Sequence, residues 1–390
     1  MRIPTLAFLI LCMAGVSARA QGDFSNRLVS LPAPGATCIA VSEAAGLAVV
    51  GQRGATNHHF LVYKLNPDGS AATPPVAVSF PVPDPVKAMK VHPIGMALHP
   101  SLPLLYVWRD VEGAKPDTAE EKIVFNSFDH AMVYAITNGT LLQTNIFAKG
   151  SNFLCEQTYG LLTVDETGKR LFVPNMRDPT NKQTAIGYYD LDDKGQPVPI
   201  PVPIPGTLDG YGVSKYETQV LPRWVNVNGL RPYGTGLGMV APNPTTVVFS
   251  ASQGFGLWDT GNRRGYLGWF VISGAGDHWI IGTPSLPVVF AASVNGNLLI
   301  RIEHVDGYLT LMPRLTYVGG AAFQSRPVVI PGKPPRLAIG GTAQIFVVTL
   351  DATGKFAADA PAAIGQPAAV RALAWSPRFN RLYAAVDKAP

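Results

Sequence analysis

Along most of the chain, short apolar runs alternate with polar clusters rich in Gly, Pro, Asn and Asp, and no helical period lasts beyond a turn or two. The recurring unit is an apolar strand, a tight turn, a second apolar or aromatic strand, a looser connection, and a third strand ending in a turn. Its first two strands read CIAVSEAAGLAVVG (from Cys38), GMALHPSLPLLYVW (from Gly95) and GLLTVDETGKRLFVP (from Gly160). Further copies are GMVAPNPTTVVFSA (from Gly238), WIIGTPSLPVVFAA (from Trp279), VVIPGKPPRLAIGG (from Val328) and ALAWSPRFNRLYAA (from Ala372). Third strands are predicted at FLVYKL (from Phe60), AMVYAI (from Ala131), AIGYYDL (from Ala185), YLGWFVI (from Tyr266), LLIRIE (from Leu298) and IFVVTL (from Ile345).

With Leu47, Leu105, Leu171, Val247, Val288, Leu337 and Leu382 as landmarks, successive spacings are 58, 66, 76, 41, 49 and 45 residues. The shortest three match the ~40–50 residues of a four-stranded propeller blade, and the longer three are the same unit with insertions. One such sheet cannot bury both faces alone, whereas radial stacking buries them and leaves only short edges. The expected fold is therefore all-β: one propeller of seven four-stranded blades. The last copy stops after two strands, and Arg27-Leu28-Val29-Ser30-Leu31 is placed to close it, leaving three strands there. Six blades plus a separate hairpin is the alternative.

Residues 1–20 read as a secretory leader: Arg2, the apolar run Leu6 to Met13, then Ala18-Arg19-Ala20, with Gln21 starting the mature chain. Export to the periplasm or the extracellular space is expected, with residues 21–390 as the propeller domain. Bulky Leu11 and Met13 around Cys12 argue against a lipid anchor, and no later apolar run spans a bilayer, so the product is not membrane-embedded. Charged residues make up only 15%, with 39 Gly and 35 Pro, which suits a turn-rich sheet protein. The net charge of +5 falls to +3 without Arg2 and Arg19, and no basic stripe is present, which argues against nucleic acid. Cys38 and Cys155 are either one disulfide or two buried hydrophobes.

GMALHPSLPLLYVW and GLLTVDETGKRLFVPN resemble the repeat of the YVTN and 6-phosphogluconolactonase-type propeller family, with its apolar strand, Pro-Asp-Gly-like turn and Leu-Tyr-Val strand. The resemblance covers most of the mature chain and lies in structural motifs. It implies a range from lactonases and muconate-lactonising enzymes to exported proteins without known activity. The muconate-lactonising relatives work with His, Arg and Glu on inner strands; Glu156 stands in the third blade here instead of His, so no catalytic set carries over.

Strand order supplies candidate chemistry independently. Asp110 to Asn126, Asn175 to Gln183 and Gln253 to Arg264 read as insertions between second and third strands, and Thr207 to Arg231 as one leading into an inner strand. In an up-and-down blade these connections share one face, where binding function concentrates. Residues preceding the inner strands are Thr37, His92, Glu156, Tyr233, His278, Arg326 and Arg371. Of these, His92, Glu156, His278, Arg326 and Arg371 are the catalytic candidates at the channel mouth, suited to anion clamping and acid–base work. The plainer alternative is a polar lining that bonds only to itself and to water. Binding candidates are Tyr233 and the rim residues Trp108, Arg109, Arg177, Arg223, Trp224, Trp258 and Arg263, although Trp258 also suits packing between blades.

No cofactor is expected. The His pairs lack zinc spacing, Cys-x-x-Cys-His and Gly-x-Ser-x-Gly are absent, and Gly234-Thr235-Gly236 precedes a strand and not a helix. Asn138-Gly139-Thr140 would accept a glycan only in a eukaryotic secretory pathway. Two functions remain: a binding module for a small anionic molecule, glycan or protein, acting through the loop-decorated face, and a lactonase-like hydrolase or cyclase for a small anionic substrate. The propeller subunit of a periplasmic amine or quinone-dependent dehydrogenase is a remote third.

Overall fold

The structure is a computed structural model. It describes residues 24–53, 59–79, 91–111, 129–149, 162–165, 167–177, 184–208, 214–220, 223–225, 239–243, 246–251, 254–259, 264–266, 278–282, 288–293, 296–305, 308–316, 322–357 and 361–388.

β1 (Leu28–Pro32) comes first. The first four-stranded sheet is β2 (Ala36–Ser42), β3 (Leu47–Gln52), β4 (Phe60–Lys64) and β5 (Val76–Val78). The second is β6 (Val91–Leu98), β7 (Leu104–Val111), β8 (Asp129–Thr137) and β9 (Thr140–Lys149). The third begins with β10 (Thr163–Val164), β11 (Arg170–Arg177) and β12 (Thr184–Asp190); a hairpin of β13 (Ile200–Leu208) and β14 (Ser214–Gln219) intervenes before its outer strand β15 (Arg223–Val225). The fourth is β16 (Met239–Asn243), β17 (Thr246–Ala251), β18 (Gly254–Asp259) and β19 (Arg264–Tyr266). The fifth is β20 (His278–Gly282), β21 (Val288–Ser293), β22 (Leu298–Val305) and β23 (Tyr308–Thr316). The sixth is β24 (Val328–Ile330), β25 (Arg336–Gly340), β26 (Gln344–Thr349) and β27 (Ala362–Gly365). β28 (Val370–Ser376) and β29 (Arg381–Val386) complete a three-stranded sheet with β1.

All these pairings are antiparallel between sequence neighbours, except that β12 pairs with β15 across the hairpin and β1 pairs parallel with β29, Leu28 opposite Leu382 and Pro32 opposite Val386. The N-terminal segment thus joins the last sheet as the pattern predicts. It runs in the direction of a fourth strand while occupying the third position.

Two other expectations are corrected. β13 and β14 pair as a separate two-stranded hairpin that falls, in sequence, between the third and outer strands of the third sheet, so Thr207 to Arg231 is not a single excursion into the fourth sheet. Gly254–Asp259 is the third strand of the fourth sheet and not part of a loop. The YLGWFVI segment therefore contributes only Tyr266 to a described strand, the outer one. Of the proposed rim, 112–128 and 178–183 lie outside the described residues.

The chain divides into two compact units, residues 1–78 with 274–390, and residues 79–273. In the first unit, Leu31, Ala48, Val50, Leu61 and Tyr63 pack with Ala372, Tyr383 and Ala385, joining the first sheet to the last. Ile330, Ala338, Ile345 and Val347 pack with Val370, Leu382 and Phe24, joining the sixth to the last. In the second unit, Tyr106, Trp108 and Val133 pack against Leu171, Val173 and Tyr189. Second strands such as β3 and β21 are buried along their whole length, because sheets cover both faces.

The Leu-Tyr pattern has a structural cause. Tyr106 on β7 donates its hydroxyl proton to the Gly195 carbonyl of the third sheet's turn at 2.7 Å, and Tyr383 on β29 does the same to Gly69 of the first sheet at 2.7 Å. Gly195 has φ +70°, and a Cβ there would lie 2.5 Å from Leu104 Cδ1, so only glycine fits under the clamp. In the turn between β6 and β7 His99 does similar work, its Nε2–H donating to the Gly168 carbonyl of the third sheet's turn at 3.1 Å while Nδ1 accepts the Leu102 N–H at 3.0 Å. Tyr106→Phe leaves that buried carbonyl without its donor and is expected to cost about 1–2 kcal/mol in urea denaturation. An unchanged midpoint would show that packing alone docks the two sheets.

Candidate functional site

The polar groups best placed for chemistry lie in the first unit, at the starts of inner strands that touch in the order β20, β24, β28, β2. Residues 324–326 are laid flat against the end of β25: Gln324 N–H donates to the Gly340 carbonyl at 2.7 Å, and Gly340 N–H to Ser325 Oγ at 2.8 Å. A Cβ on Gly340 would sit 2.5 Å from the Val370 carbonyl oxygen, so the approach depends on glycine. This anchoring presents Arg326, whose Nε–H donates to the Ile280 carbonyl of β20 at 2.9 Å. Arg326 is half-buried, and no carboxylate among the described residues lies within ion-pair distance of it. Burial pushes its pKa down to about 10, so it still carries its charge at neutral pH.

Arg371 on β28 is held from two sides. Its Nε–H donates to Asp387 Oδ2 at 3.2 Å, and its Nη1 donates to Gln324 Oε1. Asp387 Oδ1 in turn accepts the Gly35 N–H at 2.9 Å, ahead of β2. Thr37, another candidate of this register in the first unit, lies 3.5 Å from Cys38 Sγ through its hydroxyl. Cys38 is a buried free thiol, its pKa pushed up to about 12 by burial. Gln324, two residues before Arg326, thus reaches Arg371 of the next sheet; Gln324 and Asp387 were not among the sequence candidates.

The remaining candidates stand on several strands. His92 is buried on β6, opposite Asp110. Trp108 and Arg109 do not form an exposed rim: they are 2% and 1% exposed, since β7 is covered on both faces. Trp108 stacks on His130 with ring centroids 5.4 Å apart, and His130 Nδ1–H donates to the Arg109 carbonyl at 3.3 Å. Burial, aided by the charge of Arg109, holds the His130 pKa down to about 3. His278 lies on β20 opposite Ser293, and Arg177 ends β11 opposite Thr184. Arg223 and Trp224 belong to β15, opposite Tyr188 and Gly187, and Trp258 lies on β18 opposite Val247. Glu156, Tyr233 and Arg263 lie outside the described residues. Among the described residues no group of three or more His, Cys, Asp or Glu is arranged to hold a metal ion, and no helix is long and apolar enough to cross a membrane.

Solved structures similar to this chain include the β-propeller domain of Cps50 (Swd1) from Myceliophteria thermophila, at 9% identity and TM-score 0.53, covering 89% of this chain and 92% of that one. The fold is a β-propeller. The periplasmic gluconolactonase PpgL of Pseudomonas aeruginosa matches at 14% identity and TM-score 0.53, covering 87% of this chain and 88% of its own. A Bacteroides fragilis protein provisionally assigned as a 6-phosphogluconolactonase matches at 12% identity and TM-score 0.54, with 88% and 89% covered. No protein-family model and no curated protein sequence matches the chain, so its likeness to lactonase-type propellers is one of fold. In propeller terms, Arg326 and Arg371 mark the inner-strand starts of two successive blades.

Proposed function

We propose that this chain is an exported seven-bladed propeller that binds a small anionic molecule, carrying a carboxylate or phosphate, at the inner-strand starts of β20, β24, β28 and β2. The observation that carries this reading is Arg326: a half-buried guanidinium with one donor fixed on a carbonyl and, among the described residues, no acid within ion-pair distance. A planar guanidinium matches carboxylate or phosphate oxygens two at a time, and partial burial strengthens such a pair. Arg371, ion-paired with Asp387 and held by Gln324, adds guanidinium donors of defined orientation. Six four-stranded sheets and one of three strands support the seven-blade reading, and the leader-like residues 1–20 support export.

Calorimetric titration with sugar acids, sugar phosphates and the parent neutral sugars tests the reading. Binding should favour the anions, and Arg326→Gln should weaken it about 10- to 100-fold, the worth of a charge-assisted hydrogen-bond pair. Equal affinity for neutral and anionic sugars, or no change in Arg326→Gln, overturns it. The gluconolactonase likeness favours a second reading in which a carboxylated or phosphorylated lactone is bound and opened. Acid release from such a lactone above the buffer rate, lost in Arg326→Gln, would establish hydrolysis.

A further inference from the structure

Among the described residues, six sheets carry an outer fourth strand, whereas the sheet of β28, β29 and β1 has three, with β1 along its outer edge. Backbone parity identifies what that edge offers. Leu382 N–H donates to the Arg27 carbonyl at 2.9 Å, and Ala33 N–H donates to the Val386 carbonyl at 2.8 Å. Alternate residues of a strand turn their backbone groups to opposite sides, so Arg27, Val29, Leu31 and Ala33 face β29, while Leu28, Ser30 and Pro32 face away. Pro32 has no N–H, and its carbonyl accepts the Tyr63 hydroxyl. Leu28 and Ser30 therefore present N–H and C=O groups outward, Ser30 is exposed, and no strand among the described residues pairs with them. Pro32 limits the edge to a short docking length, a common guard against indiscriminate pairing.

The surroundings of this edge are basic. The Arg336 guanidinium lies 5.1 Å over the ring of Phe24, just ahead of β1, and exposed Lys333 stands in the same turn. Neither has a carboxylate within ion-pair distance among the described residues. Acids on neighbouring turns are held by turn N–H groups and form no ion pair with these cations among the described residues: Asp351 Oδ1 accepts the Thr353 and Lys355 N–H groups at 2.8 and 2.9 Å, and Glu43 Oε1 accepts the Arg378 N–H at 3.0 Å. In the third blade, by contrast, Lys169 is ion-paired with Asp193, and Arg170 with Asp190 at 3.6 Å.

We propose that an extended acidic peptide docks on β1 as the fourth strand of the last blade, its main chain pairing with Leu28 and Ser30 and its carboxylates meeting Arg336 and Lys333. Strand addition supplies affinity through the main chain, and the uncompensated cations select sign.

The probe is a fluorescent peptide of alternating Val and Glu, capped at both ends and titrated against the full chain by anisotropy. It should bind, and its Val-Lys counterpart should not. Ser30→Pro removes an outward N–H without touching the β29 ladder and should weaken binding about tenfold. Methylating alternate backbone nitrogens of the peptide should weaken it equally, and Arg336→Glu should weaken it while flattening its salt dependence. The inference fails if the methylated peptide binds like its parent, which would mean charge attraction alone. It also fails if Ser30→Pro, with melting temperature unchanged, binds normally. Should that variant not fold, the methylated peptide on the unaltered chain decides the matter.

Discussion

Acidification from pH 7 to pH 4.5 is expected to remove about 2–3 kcal/mol of folding stability through His130 alone. Its pKa is held down to about 3 in the folded chain, against an ordinary value of 6.5, because the ring is buried against Trp108 beside the charge of Arg109. The folded state therefore favours the neutral ring. This stability is fully present above pH 6.5 and is lost as the pH falls toward 3, since the unfolded chain takes up the proton first. Most carboxylates titrate lower, so the interval from pH 6.5 to 4.5 separates the two sources. Urea denaturation across that interval should show a steep loss in the parent chain. His130→Phe keeps an aromatic ring beside Trp108, forfeits the bond to the Arg109 carbonyl, and should start about 1 kcal/mol less stable with a much flatter profile. Parallel profiles for the two proteins would show that His130 is protonated in the folded state and is not sealed as described.

That site also shows where reading the sequence succeeds and stops. The repeat was legible because each copy writes its own turn: apolar strand, Pro, Gly, Asn or Asp, then Leu with an aromatic or branched residue. Tyr106 and Tyr383, each directly after a landmark leucine of that pattern, are the clamps that tie neighbouring sheets. Trp108 was misread as rim because Trp beside Arg suggests a binding surface. Yet it ends the run Leu104-Leu105-Tyr106-Val107, and a strand apolar at every position is one covered on both faces. Gly254 and Gly256 hid the third strand of the fourth sheet behind apparent loop chemistry, although Phe255, Leu257 and Trp258 supply its apolar positions. Arg326 and Arg371 were found by register alone. Gln324 and Asp387 were not, because what selects them is contact between sheets, Gln324 with Arg371 of the next sheet and Asp387 with Gly35 near the other end of the sequence, which no local period records.

Leu31→Asp is expected to cost about 5 kcal/mol or more and to leave the chain largely unfolded. Leu31 is fully buried, packed with Ala33, Ala48, Tyr63, Tyr383 and Ala385 where the first and last sheets meet. Losing the leucine forfeits about 2–3 kcal/mol of apolar burial. Placing a carboxylate there adds a desolvation cost of several kcal/mol that no cation on this stretch of β1 offsets. Because β1 and β29 stand at opposite ends of the sequence, their parallel pairing closes the longest loop in the fold. Such contacts form late, so the milder Leu31→Ala should act chiefly by speeding unfolding and should leave the refolding rate nearly unchanged. Ser30→Asp, one position away but exposed, serves as the control and should cost about 1 kcal/mol at most, from its hydroxyl bond to Gln366. If Leu31→Asp instead lowers stability by no more than Ser30→Asp, β1 detaches without consequence for the core, and neither the closed last blade nor a docking edge upon it survives.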